Sequence, residues 1–444
     1  MKPNFVFIMA DDLGYADLGC YGGRAIASDG AGGRSSCSPE LDRMAAGGLR
    51  FTDGYSNSPV CSPTRFGLIT GRYHYRLRGS HDEPIATRAR GNPVLGLPPS
   101  HPTFPSLLRD AGYRTALTGK WHLGFPPHFG PLKSGYQEFF GPLAGGVDYF
   151  SHLDSAGVHD LYEGDAESAK TGYLTDLISD AAVDFIGRQR GAGAPFLLSV
   201  HYTAPHWPWE TRDDEAESKR IGTRISHTDG GSVKTYQAMI RHMDEGIGRI
   251  LRALEDAGAD GNTLVVFTSD NGGERFSDTW PLVGKKMDLL EGGIRVPYIA
   301  RWPARIKAGG TTSQQAITMD WAATFLEAAG VAPHPDYPLD GRSLLAVLDE
   351  PSRVFERELY WRMLFRNQKA MREGPWKYLV LDGDEFLFDL SKDQRERANL
   401  VQRDPARVAA MRARYEAWVK TMPPIAADAK TSIPYTRADL AQPS

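Results

Sequence analysis

The chain has 444 residues, of which 41% are hydrophobic, and a formal net charge of −4. A chain of this length can bury a large core and is long enough for about three domains of ordinary size. It has no long basic block, which argues against nucleic acid as a partner, and no apolar run near the roughly 20 residues that a membrane-spanning helix needs.

Short apolar segments alternate with longer amphipathic segments over the first three quarters of the chain. The segments that we predict to be buried strands are rich in Val, Phe, Leu and Thr: Asn4–Met9, Arg114–Thr118, Pro195–Val200 and Thr263–Thr268. Apolar residues at three- and four-residue spacing predict helices at Tyr173–Gln189, Tyr236–Ala257 and Ala316–Ala329. This alternation indicates an α/β fold with a large, mainly parallel sheet flanked by helices.

The pattern changes after about Leu348. Short strands are predicted at Glu358–Leu364, Trp376–Leu381 and Glu385–Asp389, followed by a helix at Pro405–Thr421. We therefore predict a large domain over residues 1–348 and a smaller subdomain over residues 349–444, built from an antiparallel sheet and one helix. The polar, proline-containing tail after Pro423 is predicted to pack loosely.

Two long irregular segments, Gly22–Ser36 and Arg76–Pro99, interrupt this pattern. Loops of this length are uncommon unless they are functional or disordered. Both flank a candidate active-site segment in sequence, so they are placed to border its entrance. For Gly22–Ser36, an ordinary surface excursion explains the composition equally well.

The chain has only three cysteines, Cys20, Cys37 and Cys61. They form neither a disulfide framework nor a C-x-x-C metal site, and a bond between Cys20 and Cys37 is left open. The apolar run Phe5–Met9 is too short for the core of a signal peptide. We therefore expect a cytoplasmic protein, or a periplasmic or secreted one if a leader has been trimmed.

Oxygen-bearing side chains follow two of the predicted strands. Asp11 and Asp12 come directly after the first strand, and Asp270 and Asn271 come just after the strand Thr263–Thr268. In a parallel sheet the carboxyl ends of the strands meet at one edge, where ligands bind. Adjacent carboxylates repel each other, whereas Ca²⁺ and Mg²⁺ prefer oxygen ligands. The sequence therefore predicts one site for a hard divalent cation.

The segment Pro59–Gly71 contains the pattern C-x-P-x-R, with Cys61 and Arg65 at its ends. It resembles the signature of the Cys-type sulfatases, in the alkaline-phosphatase-like superfamily. The segment Gly112–His122 resembles the second sulfatase signature, with Thr118 as a mild departure, and it contains Lys120 and His122.

Two further segments carry the same resemblance. His206 lies in a P-H-x-P context, and residues 284–297 resemble the pattern K-x-x-x-x-E-G-G-x-R-x-P. Aligning the latter on its Glu-Gly-Gly assigns the functional lysine to Lys286, with Lys285 as the alternative. Segments resembling the helix before the nucleophile and the C-terminal strand of the family extend the similarity over nearly the whole chain. Aryl, steroid and carbohydrate sulfatases, including N-acetylgalactosamine-sulfatase-like members, share these patterns.

The resemblance implies that a sulfatase-maturing enzyme, such as a formylglycine-generating enzyme, oxidises Cys61 to formylglycine. It also implies one Ca²⁺ ion, with Mg²⁺ as the alternative, held by Asp11, Asp12, Asp270, Asn271 and the modified residue 61. The hydrate of the aldehyde would attack sulfur and form a covalent sulfo-enzyme. The implied activity is hydrolysis of an aryl or carbohydrate sulfate monoester to an alcohol and inorganic sulfate.

The resemblance also assigns roles to the charged side chains. Arg65 would stabilise the aldehyde hydrate, and Lys120 and Lys286 would bind the sulfate group. His206, aided by Lys286, would protonate the leaving alcohol, and His122 would then remove a proton from the hydrate so that sulfate is expelled. His201 is the less favoured histidine and is expected to be a buried residue behind the site.

Three questions stay open at the level of sequence. A phosphate or phosphonate monoester hydrolase of the same superfamily is one alternative, although a second set of metal ligands is not found. An unmodified relative that only binds sulfated glycans is another. Trp207, Trp209 and the segment Gly145–His152, which includes His152, are candidates for contact with the organic part of the substrate, and core packing explains the tryptophans about as well.

Overall fold

A computed structural model describes residues 2–23, 26–27, 34–226 and 228–433. The strands are β1 Asn4–Ala10, β2 Ile26–Ala27, β3 Arg34–Ser35, β4 Leu49–Phe51, β5 Gly54–Tyr55, β6 Arg114–Gly119, β7 Glu138–Gly141, β8 Tyr162–Glu163, β9 Ala166–Glu167, β10 Phe196–His201, β11 Thr263–Ser269, β12 Tyr298–Arg301, β13 Gly310–Thr312, β14 Ala316–Ile317, β15 Glu358–Met363, β16 Gln368–Glu373, β17 Trp376–Leu381 and β18 Asp384–Asp389. The helices are α1 Pro39–Ala46, α2 Cys61–Thr70, α3 Phe104–Asp110, α4 Leu174–Arg188, α5 Glu215–Ile221, α6 Val233–Asp256, α7 Glu291–Ile294, α8 Asp320–Ala329, α9 Leu345–Asp349 and α10 Pro405–Val419.

The large sheet has ten strands in the order β13-β4-β12-β11-β1-β10-β6-β7-β8-β9. Its centre is parallel, since β1 pairs in parallel with both β10 and β11, and β10 pairs in parallel with β6. Strand β12 joins the neighbouring edge in the antiparallel direction. The central strands are buried along nearly their whole length, as expected for a sheet covered on both faces. The predicted α/β class with a large mixed sheet is confirmed.

The helices follow from their amphipathic sequences. On α4, Leu174, Ile178, Ala182 and Phe185 are buried at three- and four-residue spacing. The 24-residue helix α6 packs against α4. Within the part of the chain that the structure describes, none of the helices combines the length and the apolar character needed to cross a lipid bilayer.

The predicted helix Ala316–Ala329 is wrong at its start. Ala316 and Ile317 form a short strand that pairs in parallel with β5, and the helix begins at Asp320. The Asp320 carboxylate accepts a hydrogen bond from the Ile317 amide at 2.8 Å, which competes with helical pairing at these residues. The other predicted strands and long helices agree with the structure to within three residues at each end.

The C-terminal sheet is antiparallel, in the order β15-β16-β17-β18, and α10 contacts β16 and β17. Strand β16 was not predicted, because its sequence QKAMRE has little β-propensity. This sheet shares an apolar cluster with Tyr55, Leu289 and Ile317 of the larger part of the chain. The boundary between residues 348 and 349 stays a prediction.

Two predictions about irregular segments fall partly outside the described residues. Of Gly22–Ser36, the structure describes residues 22–23, the strand pair β2–β3 and residue 36. The prediction of a loosely packed tail is wrong for residues 430–432, because Lys430 and Ser432 form backbone hydrogen bonds with Glu83. Residues 434–444 lie outside the described part. Cys20 and Cys37 are both free thiols, so they form no bond with each other.

Candidate active site

Helix α2 positions the residues of the Pro59–Gly71 segment. Cys61 is its first residue, and Pro63 lies in its first turn, where the missing amide hydrogen of proline costs no helical hydrogen bond. Arg65 follows Cys61 by one turn, so both side chains lie on the same face of the helix. The helix N-terminus therefore holds residue 61 where the helix dipole stabilises negative charge.

The carboxyl ends of four parallel strands meet beside Cys61. Asp11 and Asp12 follow β1, Asp270 and Asn271 follow β11, Lys120 and His122 follow β6, and His206 follows β10. Asp12 and His122 both have left-handed backbones, with φ of 64° and 57°. Such conformations cost about 1–3 kcal/mol each in non-glycine residues and are concentrated at functional sites.

The oxygen ligands predicted from the sequence form one cluster. Ligand atoms of Asp11, Asp12, Cys61 and Asp270 all lie within 4.8 Å of one another, and each of these residues is buried. Asp11 Oδ1 and Asn271 Oδ1 are buried without a hydrogen-bond partner. Unpaired buried oxygens of this kind are costly unless a cation or a donor reaches them. The cluster therefore fits a hard cation such as Ca²⁺.

Three buried cations balance the three carboxylates. Lys120 Nζ lies 2.5 Å from Asp11 Oδ2, and Lys286 Nζ lies 2.7 Å from Asp12 Oδ2. Arg65 donates to Asp270 Oδ2 through Nε at 3.2 Å and through a terminal nitrogen at 2.8 Å. A bound dication would thus leave the site net positive, which suits an anionic substrate.

The pKa values of these groups follow from burial and from the neighbouring charges. Burial raises the pKa of Asp12, but the charges of Lys286 and His206 outweigh this effect and lower it to about 2. Burial, reinforced by the charge of Asp11, raises the pKa of Asp270 to about 7. Burial also raises the pKa of the Cys61 thiol well above its ordinary value.

His122 is held with one ring nitrogen engaged and the other available. Its Nε2 lies 2.7 Å from the Ile85 carbonyl oxygen, and its Nδ1 is buried without a hydrogen-bond partner. Burial, reinforced by Lys120, lowers the pKa of His122 well below its ordinary value, so the ring is neutral. A neutral ring that donates through Nε2 carries a lone pair on Nδ1, which is the form of a base.

His206 also borders the cluster, with a ring nitrogen within 4.8 Å of ligand atoms of Asp11 and Cys61. Its Nδ1 is 2.5 Å from the Trp207 carbonyl oxygen, and its Nε2 is 3.7 Å from Asp12 Oδ2. The Trp207 ring lies against the imidazole, with ring centroids 4.3 Å apart. Burial, reinforced by Lys286, lowers the pKa of His206 well below its ordinary value.

These side chains line a pocket of about 120 Å³. Its floor contains Cys61, His122, His206 and Lys286, and its walls include residues 84–87, Gly145, Gly146, Ser155, Trp207, Ile225, Ser432 and Ile433. Residues 84–87 belong to the long segment Arg76–Pro99, so the prediction that this segment borders the site is confirmed.

Known proteins share this sequence and this architecture. The family model described as Sulfatase matches residues 3–331, which is most of the chain. The chain belongs to the sulfatase family, the hydrolases of sulfuric esters. A second model, for the C-terminal part of N-sulphoglucosamine sulphohydrolase, matches residues 280–417 of this sulfatase.

Individual sulfatases resemble the chain over most of its length. N-acetylgalactosamine-6-sulfatase of Canis lupus familiaris is 36% identical over 367 residues, covering 78% of this chain and 66% of that protein. The chain thus spans about two thirds of that relative's length. Arylsulfatase A of Homo sapiens is 31% identical over 462 residues, covering 90% of this chain and 83% of that protein. The solved structure of Ps i-CgsB in complex with k-i-k-neocarrahexaose has a TM-score of 0.81 and 30% identity, and covers 94% of this chain and 93% of that one.

The structure also distinguishes between residues that the sequence left as alternatives. Lys286 pairs with Asp12 and lines the pocket of this sulfatase, whereas Lys285 does not line it. Trp207 lines the pocket as well. Trp209 instead packs against Phe276, with ring centroids 5.0 Å apart, and it is only 3% exposed.

Two further histidines lie away from the floor of the pocket. His152 Nε2 lies 3.1 Å from the Gly172 carbonyl oxygen, and the residue is not part of the pocket lining. His201 Nδ1 lies 3.3 Å from the Lys120 carbonyl oxygen, so it supports the β6 end from behind, as expected.

Several pocket residues of this sulfatase were not predicted. Ile85 supplies the carbonyl group that holds His122, and Ser432 and Ile433 close one wall. None of them has a chemical signature in the sequence, since a backbone carbonyl is common to all residues. The irregular composition of Arg76–Pro99 was the single available signal for Ile85.

Proposed function

We propose that the protein hydrolyses sulfate monoesters of a carbohydrate or aryl alcohol, with a formylglycine at position 61 as the source of the nucleophile. The convergence of the Cys61 end of α2, three carboxylates and three buried cations beside one pocket carries this proposal. A sulfate monoester is anionic and gains negative charge on its leaving oxygen, so its hydrolysis requires cations and a proton donor in one place.

We propose Ca²⁺ as the ion of this site, with Asp11, Asp12, Asp270 and Asn271 as its ligands together with residue 61. When bound, such an ion withdraws electron density from the sulfate group and stabilises negative charge at the nucleophile. The unpaired Asp11 and Asn271 oxygens support this assignment. With residue 61 converted to formylglycine, the ligand set consists entirely of oxygen atoms, which favours Ca²⁺ or Mg²⁺ over zinc.

The protein's own side chains perform the remaining steps. Lys120 and Lys286 bind the sulfate oxygens, and Arg65 stabilises the hydroxyl groups on residue 61. One hydroxyl group of the hydrate gives its proton to Asp270, whose carboxylate lies within 4.8 Å of Cys61 Sγ, and its oxygen forms a bond to sulfur. The bond from sulfur to the leaving oxygen breaks as the protonated ring of His206, stabilised by the Asp12 carboxylate, donates a proton to that oxygen. His122 Nδ1 then accepts a proton from the second hydroxyl group, whose oxygen becomes the aldehyde oxygen as the carbon–oxygen bond to sulfate breaks and sulfate leaves. A water molecule adds to the aldehyde and re-forms the hydrate.

A sulfated saccharide is the substrate class that we favour. N-acetylgalactosamine-6-sulfatase is a relative by sequence, and the structural neighbour Ps i-CgsB was solved in complex with an oligosaccharide. Trp207 offers an apolar ring face in the pocket, and such faces pack against sugar rings as well as aryl rings.

The test is an activity measurement on protein co-expressed with a formylglycine-generating enzyme. A panel of sulfated sugars and phenols should be assayed for sulfate release in the presence of Ca²⁺. Mass spectrometry should find the peptide of residue 61 with its thiol sulfur and two hydrogens replaced by one oxygen. We expect Cys61→Ala to abolish turnover and Cys37→Ala to retain it. Turnover by Cys61→Ala at the wild-type rate would refute the proposal.

A further inference from the structure

The end of the described chain closes one wall of the active-site pocket. Residues 424–433, which we name the C-terminal strap, follow α10 and run back over the larger part of the chain. The Glu83 amide donates to the Lys430 carbonyl oxygen at 2.9 Å, and the Ser432 amide donates to the Glu83 carbonyl oxygen at 3.2 Å. Arg88 donates to Ser432 Oγ at 2.6 Å. The strap is therefore fixed to the segment that contributes residues 84–87 to the pocket lining.

The strap reaches residues adjacent in sequence to the catalytic groups. Ile433 packs against an apolar cluster of Val60, Met287 and Met363, in which Val60 precedes Cys61 and Met287 follows Lys286. Ser432 and Ile433 line the same pocket as the floor residues. A change in the Ile433 side chain therefore alters the space available above the reacting sulfur.

The pocket is small compared with pockets that enclose a whole ligand. Pockets that enclose a whole small-molecule ligand commonly have about 300–1,000 Å³. With the strap in place, the pocket has about 120 Å³. That volume holds the sulfate ester group and the atoms next to it, while the rest of the substrate must pass between the strap, residues 84–87 and Trp207.

We propose that the C-terminal strap determines which organic groups of a sulfate ester enter the site, with Ile433 as the specificity-determining side chain. This inference deepens the proposed function and rests on it. Ile433 excludes bulky groups attached close to the ester oxygen and contacts compact ones. Replacing it with alanine enlarges the pocket without removing any group that binds sulfate.

The first test compares two substrates of one chemical class. Matured wild-type protein and Ile433→Ala are assayed with phenyl sulfate and with a bulkier analogue, 2-phenylphenyl sulfate. Adding or removing a few methyl-sized groups in an apolar pocket changes the kcat/KM ratio between two substrates by about 10-fold or more. We therefore expect the ratio of kcat/KM, bulky to compact, to rise about 10-fold in Ile433→Ala. An unchanged ratio overturns the proposal.

A matched control lies on the same strap. Ile425 is 39% exposed and lines a separate cavity between the C-terminal sheet and α10. Ile425→Ala removes the same atoms from the strap without touching the active-site pocket, so the kcat/KM ratio should stay at the wild-type value. An equal rise in both variants would show general loosening of the strap and would overturn the role of Ile433.

A second test needs no enzymatic activity. In protein made without a maturing enzyme, the Cys61 thiol reports on access to the floor of the pocket. Its alkylation by N-ethylmaleimide and by fluorescein-5-maleimide is followed on the peptide of residue 61 by mass spectrometry, so that Cys20 and Cys37 do not interfere. Ile433→Ala should increase the rate of Cys61 alkylation by fluorescein-5-maleimide several-fold more than the rate of alkylation by N-ethylmaleimide. Equal rates in wild type and variant overturn the proposal.

The two tests separate the two proposals. If matured wild-type protein releases no sulfate from any ester, the proposed function fails, and the labelling rates decide whether the strap controls access. If wild-type protein is active and the substrate ratio is unchanged in Ile433→Ala, the proposed function stands and the strap proposal fails.

Discussion

Gly145 lies so close to His122 that an added methyl group would displace the imidazole. A Cβ atom at residue 145 would lie 2.4 Å from His122 Cε1 and 2.6 Å from Nε2. Carbon atoms pack at about 3.5 Å, so the ring or the loop must move by about 1 Å. The ring is held by the Ile85 carbonyl group, and the loop is held by a 2.6 Å hydrogen bond from the Ala144 amide to Asp160. We therefore predict that Gly145→Ala misplaces the base without removing it.

The expected size of this effect follows from the displacement. A misplacement of 1 Å can cost about 100-fold in rate, which corresponds to about 2.7 kcal/mol of activation free energy. The kcat of matured Gly145→Ala should fall by about this factor. Because His122 acts in the release step, sulfate should accumulate on residue 61. Mass spectrometry of the quenched reaction would reveal that adduct, and thermal unfolding would show whether the fold is retained.

Two controls make the prediction specific. In Gly146→Ala the nearest contact of the added Cβ atom is 3.1 Å, to His206 Cε1. A shift of the His206 ring by a few tenths of an ångström relieves this contact, so the loss of kcat should be smaller than in Gly145→Ala. The double variant Gly145→Ala/His122→Ala should be no slower than His122→Ala alone, because changes that act through one residue are not additive. A kcat of Gly145→Ala within about 3-fold of wild type, or a loss without the adduct, would refute the reasoning.

Three further predictions concern the ion, the reaction class and the proton donor. Chelation should suppress activity, and Ca²⁺ or Mg²⁺ should restore it; full activity in protein shown by elemental analysis to be metal-free would contradict the ion assignment. The kcat/KM for a sulfate ester should exceed that for the matching phosphate ester, and the reverse order would favour a phosphate monoester hydrolase. The kcat of His206→Ala should fall by about 10²–10⁴-fold with sugar leaving groups and by much less with an activated phenol. Equal losses across leaving groups would assign the proton donor elsewhere.

The chemistry of this site was predictable from the sequence because the necessary residues occur in short, local patterns. Cys61 and Arg65 are one helical turn apart, and Asp11, Asp12 and Asp270 directly follow buried strands. Parallel strands place their carboxyl ends at one edge of the sheet. Predicting the strands was therefore enough to predict that these residues lie close together. The same reasoning predicted where Lys120 would lie.

Other features depend on long-range packing that no local pattern encodes. The alternation of residues in β16 is weak, and the strand forms because β15 and β17 supply its hydrogen-bond partners. The sequence favoured Lys286 but left Lys285 as an alternative, and the fold places Lys286 against Asp12. Trp207 and Trp209 are likewise equivalent in sequence, yet one lines the pocket and the other packs in the core.

The sequence by itself determined the fold class, since periodicity acts over a few neighbouring positions, and its resemblance to the sulfatases gave the reaction class, while the roles of the reacting residues stay predictions. The tertiary structure alone decided which polar tail segment closes the pocket. The strap contacts residues about 350 positions earlier in the chain, with Glu83 and Ser432 joined through backbone groups that every residue possesses. Pocket shape is therefore set by contacts between distant segments, and substrate selectivity depends on the same contacts.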